Sequence, residues 1–132
     1  MMKPQEIYNE ISFNLFKQGK QSEGYHYHDK NGLKNSIGFI IPDDQYFEEL
    51  DLYNKTFKWY TEQFKDRFPD WMKENLGLLE SLLSAHDISF NWTSSENMKK
   101  YLTKIAERYK IKSDILKNLK FDWESNNEIT VV

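Results

Sequence analysis

Ile7, Ile11 and Leu15 recur at four-residue spacing with Tyr8 alongside, which is the period of one buried helical face. The pattern predicts a helix from Pro4 or Gln5 to Gln18, with proline in the first turn and Gly19 as a left-handed cap. After a polar loop the period changes to two. Tyr25-His26-Tyr27-His28 alternates as a strand does, and Asp29-Lys30-Asn31-Gly32 supplies the Asn-Gly pair of a tight turn. Residues 33–41 then return as a second strand, so the segment predicts a β-hairpin. The run Ile37-Gly38-Phe39-Ile40-Ile41 is short enough to be a buried helical turn instead, and Pro42 ends it in either case.

The remainder reads as helices. Asp43-Asp44-Gln45-Tyr46 places carboxylates at a helix start and predicts a short helix to about Leu52. Phe57, Tyr60, Phe64 and Phe68 mark an amphipathic helix that stops before Pro69. Met72, Leu76, Leu79, Leu83 and His86 step by three and four, predicting one helix from Pro69 or Asp70 to Ala85 or His86, weakened at Gly77. Beyond the connector of residues 87–92, Thr93-Ser94-Ser95-Glu96 has the form of a capping box. Met98, Tyr101, Leu102, Ile105, Ala106 and Tyr109 trace the apolar face that follows. Ser113 and Asp114 can cap a last short helix, Ile115 to Leu119, before a tail expected to be mobile. The predicted fold is therefore α+β: a mostly helical single domain, with a small hairpin packed on five or six helices.

Composition narrows the chemistry. A chain of 132 residues can bury a core without covalent staples. It has no cysteine, which excludes disulfide scaffolds, thiolate metal sites and cysteine nucleophiles. The N-terminus runs directly into the first amphipathic pattern, without the apolar stretch of a signal peptide, and no apolar run is long enough to span a bilayer. A cytoplasmic protein without a membrane segment is the expectation. Net charge is −3 but unevenly placed: residues 1–96 carry 10 Lys or Arg against 16 Asp or Glu, and residues 97–120 carry 8 against 2. Such runs most often form only the solvated side of helices.

Four groups of residues are candidates for chemistry. On a strand His26 and His28 point to one face, where neutral imidazoles can bind a transition metal with Asp29 or Asp43 completing the set. No third ligand stands at a diagnostic spacing, and paired histidines on an exposed strand are usually polar surface. His86-Asp87 has the form of the adjacent His-Asp pair of metal-dependent phosphohydrolases, yet His86 also lies on its helix's apolar stripe, where a hydrogen-bonded core histidine is the commoner case. Asp43, Asp44, Glu48, Glu49 and Asp51 form an acidic run with no intervening cation and without the ligand spacing of an EF-hand. It can be a solvated helix start, a divalent-cation site or a surface for a basic partner. Lys99, Lys100, Lys104, Arg108, Lys110 and Lys112 can form a nucleic-acid stripe, but Tyr101 and Tyr109 share the apolar face instead, and the acidic whole disfavours nonspecific nucleic-acid binding.

At Gly32-Leu33-Lys34, Ser36-Ile37-Gly38, Ile40-Ile41-Pro42-Asp43-Asp44 and Tyr46 the chain resembles a group of small uncharacterised proteins of phages and bacterial genomes. Members carry a tyrosine shortly before the Gly-Leu-Lys segment, a position matched by Tyr27. The resemblance continues through Gly19, Leu82, His86-Asp87, Ile105-Ala106 and Tyr109. It implies no activity, because the group has none assigned, but it singles out Tyr27, Lys34, Asp43, Tyr46, His86 and Asp87. Members have methionine and arginine-like residues where this chain has His26 and His28, and often cysteine where it has Asn35, so neither the histidine pair nor thiol chemistry is a shared feature.

Together these readings favour an accessory protein of phage or mobile-element origin that needs no cofactor. It would bind a protein partner through an acidic surface of Asp43, Asp44, Glu48 and Glu49, with Tyr27, Lys34 and Tyr46 beside it. Inhibition of a nucleic-acid-processing or defence enzyme is its concrete form. The competing reading is a metal-dependent hydrolase of phosphoesters or nucleotides using His86, Asp87 and carboxylates near Asp43.

Overall fold

The computed structural model describes residues 1–124, so the tail expected to be mobile lies largely outside the described residues. Among the described residues the named α-helices are α1 (Pro4–Gln18), α2 (Phe57–Gln63), α3 (Asp70–Lys73), α4 (Leu76–Asp87) and α5 (Ser95–Tyr109). Short 3-10 turns fill the connections. Helical residues make up 63% of the structure and strand residues 2%, so the domain is all-α and the expected α+β class is corrected. Among the described residues no helix is long and apolar enough to cross a membrane.

α1 begins and ends where its pattern places it. The Glu6 carboxylate accepts the Lys3 amide at 2.9 Å, and the Gly19 amide closes the helix on the Leu15 carbonyl at 3.0 Å with a left-handed φ of 75°. Its apolar face is central to the core: Ile7, Tyr8, Ile11 and Leu15 are fully buried, and the Tyr8 hydroxyl donates to the Leu102 carbonyl of α5 at 2.8 Å. A glutamine near each end ties α1 to a distant peptide. The Gln5 amide exchanges two 2.8 Å hydrogen bonds with the backbone of Lys112, and Gln18 does the same with Lys34 at 2.8 and 2.9 Å.

The hairpin does not form, for reasons visible in its hydrogen bonds. One antiparallel bridge, His28 to Lys34, is all that remains of it among the described residues. The turn is closed by the Asp29 carboxylate, which accepts the amides of Glu23, Asn31 and Leu33 at 2.8 to 2.9 Å. Lys34 gives its backbone groups to Gln18, and Asn35 then turns the chain. Its side-chain oxygen accepts the Gly38 amide at 2.9 Å while its amide donates to the Tyr25 carbonyl at 3.1 Å. With that cap in place residues 36–40 coil, Phe39 donating to the Asn35 carbonyl and Ile40 to that of Ile37. The alternative of a buried helical turn is what the chain adopts. Gly38 is required there, because a Cβ would lie 2.1 Å from the Tyr27 carbonyl oxygen.

Three predicted helices are broken, and the one expected through Phe68 ends at Gln63, with a separate 3-10 turn, Lys65–Arg67, after it. Residues 43–52 form two 3-10 turns, Asp43–Gln45 and Glu48–Asp51, with Tyr46 and Phe47 extended between them. That interruption sends Phe47 into an aromatic cluster with Phe64 and Phe68, under the Arg67 guanidinium at 4.1 Å from its ring. The helix expected over residues 69–86 divides into α3 and α4 at Glu74 and Asn75, where the Asn75 amide returns to the Trp71 carbonyl at 2.6 Å. α5 is capped one residue later than the motif suggests. Ser94 accepts the Asn97 amide at 3.0 Å, and the Glu124 carboxylate accepts the Ser95 amide at 2.6 Å, an anion placed on the helix's positive end. Phe121 stacks between Phe16 and Trp92 to close that side of the core.

Candidate functional site

The residues expected to matter separate into an acidic arm, a buried histidine clamp and a polar cavity between them. The arm spans residues 43–53 and is fastened from behind by Asp51. One carboxylate oxygen of Asp51 accepts the Tyr27 amide at 2.7 Å; the other accepts the His28 amide at 3.2 Å and the Tyr46 hydroxyl at 2.5 Å. Burial, followed by the Asp51 hydrogen bond and charge, pushes the Tyr46 hydroxyl well above the usual phenol range. Tyr46 in turn stacks flat on His28 with ring centroids 4.0 Å apart. Burial lowers the His28 pKa, with Lys34 adding to the effect and Asp43, Asp51 and the Gly38 carbonyl opposing it. The pair therefore holds a neutral imidazole at the base of the arm.

The front of the arm faces solvent. Asp43 pairs with Lys34 at 3.2 Å, while Asp44, Glu48 and the half-buried Glu49 make no ion pair among the described residues. Leu52 and Tyr53, 63% and 49% exposed, extend the same surface with apolar area.

His26 and His28 do not act together. With no strand to align them, His26 lines the cavity and His28 lies under Tyr46 with its Nε2 buried and unpartnered. Asp29, offered as a third ligand, is buried and engaged by three amides. Burial alone would raise its pKa, but those amide donors outweigh burial and hold the carboxyl below the usual range. Among the described residues no three His, Asp or Glu side chains converge closely enough for a metal ion.

His86 is fully buried and both ring nitrogens are used. Nε2 accepts the Ser22 amide at 2.9 Å, which leaves the proton on Nδ1, donated to Asp87 at 2.7 Å. Its carbonyl accepts from Trp92 Nε1 at 2.7 Å and from the Gln21 amide at 2.9 Å. The His-Asp pair thus clamps residues 21 and 22 to the end of α4. Asp43 and Asp44 are exposed and line neither hollow that Asp87 lines, so the structure does not bring the hydrolase set together.

The cavity, about 470 Å³, opens between residues 24–27, residues 50–55 and α4. Tyr27 enters it from a 5% exposed position. Burial, then Tyr60, Asp51, Asp87 and Glu80, push its hydroxyl above the usual range. Sequence reasoning singled out Tyr27 and Asp87 but gave Asp51, Lys55 and Glu80 no distinct role. No spacing separates Asp51 from the solvated carboxylates before it, since its role is set by the remote amides of Tyr27 and His28.

On the basic helix, Lys99, Lys100 and Lys104 share their shallow outer surface with Glu96 and Glu107, and Glu96 reaches Lys100 at 3.7 Å. Tyr101 and Tyr109 pack against the core, as their place on the apolar face predicts. Family models, curated proteins and solved structures compared with this chain give no match.

Proposed function

We propose that the chain is a cytoplasmic interaction protein that engages a basic surface on a protein partner through residues 43–53. The observation that carries this reading is the asymmetry of the arm. Asp51 spends its carboxylate on two amides and a hydroxyl behind it, while Asp44 and Glu48 stand in solvent without cations, beside exposed Leu52 and Tyr53. Anchored carboxylates cost little entropy to present, and a matching positive surface gains steering and register from them. A nucleic-acid-processing or defence enzyme supplies such a surface in its phosphate-binding groove, so inhibition by occupying that groove is the specific form of the proposal. Phage or mobile-element origin belongs to the same proposal.

The test pairs the wild type with Asp44→Lys/Glu48→Lys, whose arm keeps its Asp51 anchor. The wild type should capture one stoichiometric partner from host lysate, and raised salt or added duplex DNA should release it. The double variant should bind that purified partner about tenfold or more weakly. Equal binding by the variant, or a partner indifferent to salt and DNA, would defeat the reading.

A further inference from the structure

The groove behind the arm has an electrostatic character that the partner surface does not use. The cavity continues into a second hollow of about 370 Å³, which shares Asn54, Lys55, Leu83 and Asp87 with it. Glu80 and Asp87 sit seven residues apart on α4, two turns and therefore about 10 Å along one face. Half-buried Leu83 supplies apolar surface in the same hollow. Glu80 makes no hydrogen bond or ion pair among the described residues, and Asp87 commits one oxygen to His86.

An independent feature points into the same space. Tyr27 is more than nine-tenths buried, yet its hydroxyl makes no hydrogen bond with any described residue. Among the described residues the unpaired side-chain atoms sealed from solvent are Ser12 Oγ and His28 Nε2, so the Tyr27 hydroxyl is not sealed, and Tyr27 lines the cavity. A hydroxyl open to the cavity can donate to or accept from whatever occupies it. A ligand polar group there takes the place of water on it. The opposing cation is Lys55, drawn toward the face of Trp59 at 5.7 Å.

We propose that this groove binds a linear aliphatic diamine or polyamine, its ammonium groups held at Asp87 and Glu80 and its methylene chain lying over Leu83 beside the Tyr27 hydroxyl. The carboxylates are spread along a helix face rather than gathered at a point, which suits a chain with a charge at each end better than a metal ion. Leu83, between the two carboxylates, gives an alkyl chain apolar area to cover, which a hydrated inorganic cation does not need.

The experiment titrates the full chain with 1,5-diaminopentane and spermidine at physiological salt, following amide shifts by NMR and heat by calorimetry. n-Butylamine and magnesium chloride at matched ionic strength are the comparisons. Saturable binding is expected for the two polyamines, with shifts centred on Tyr27, Leu83 and Asp87, and about tenfold or more weaker binding for the monoamine. Glu80→Gln and Tyr27→Phe should each weaken binding about tenfold, with the melting temperature of Glu80→Gln unchanged. Lys55→Gln, which removes the groove's own cation, should strengthen it, an effect that misfolding does not produce. Magnesium binding as tightly as the diamine, a monoamine binding equally well, or wild-type affinity in Glu80→Gln would overturn the proposal.

Discussion

Asp51→Ala removes one carboxylate and releases the arm without touching its solvent face. Three hydrogen bonds of 2.5 to 3.2 Å are lost: to the amides of Tyr27 and His28 and to the Tyr46 hydroxyl. Hydrogen bonds to a charged acceptor contribute about 1.5–3 kcal/mol each. The His28 bond is long and Asp51 is only half-buried, so water recovers part of the sum, and a net loss of about 3 kcal/mol is expected. Against a total stability of about 5–15 kcal/mol that is a large fraction. At about 3–5 °C per kcal/mol for a domain of this size, the melting temperature should fall by about 10–15 °C. Urea denaturation followed by tryptophan fluorescence and circular dichroism measures the loss, and hydrogen exchange localises it, since the Tyr27 and His28 amides should lose protection first. Asp51→Asn keeps one acceptor oxygen and should lose about half as much. A double-mutant cycle with Tyr46→Phe should show a coupling of about 1 kcal/mol. A stability within about 0.5 kcal/mol of wild type in Asp51→Ala, or no coupling to Tyr46, would refute the anchor.

Gly38→Ala drives a Cβ into the Tyr27 carbonyl, a backbone atom that cannot rotate away, so a loss of about 3 kcal/mol or more, or failure to fold, should appear in denaturant titration. His86→Ala leaves the Ser22 amide and one Asp87 oxygen unpaired around a void and should cost about 3–4 kcal/mol by the same measurement, while partner capture through residues 43–53 persists below the melting temperature. Asp29 has a pKa lower folded than unfolded, so the folded state binds fewer protons; the stability this contributes is complete above about pH 4 and drains as pH falls through the folded value. Asp29→Asn should therefore flatten the dependence of melting temperature on pH in that acidic range. The lowered pKa of His28 acts with the same sign in a higher window: its contribution is present above about pH 6.5, falls as pH drops through the folded value, and should vanish in His28→Phe.

The parts of this fold legible in the sequence are those set by residues close together in the chain. α1 and α5 have long apolar faces with polar caps, and both stand where the pattern puts them, although α5 starts on Ser94 rather than Thr93. The hairpin was illegible because its outcome depends on Gln18 taking the Lys34 peptide and Asn35 capping the next turn. An Asn-Gly turn between alternating residues carries neither fact. The short helix after Pro42 breaks because Phe47 gains more from the Phe64, Phe68 and Arg67 cluster than from continued helix. At the site, a core role for His86 could be read from its apolar stripe, whereas its tautomer and its Ser22 partner could not. Asp51 looked like its neighbours, and the groove was hidden because Tyr27, Glu80 and Asp87 meet only in three dimensions.

The Asn35 cap also bears on what happens when the protein opens. Ile37-Gly38-Phe39-Ile40-Ile41 is uncharged and mostly composed of strand-favouring residues, the composition of a segment that pairs with copies of itself once extended. Folded, it is coiled and largely buried, held by the Asn35 side-chain oxygen on the Gly38 amide and by the turn's own backbone hydrogen bonds. Opening that turn would present a strand-forming segment to other chains. The capped turn thus keeps a self-pairing segment coiled, with Asn35 as its first support.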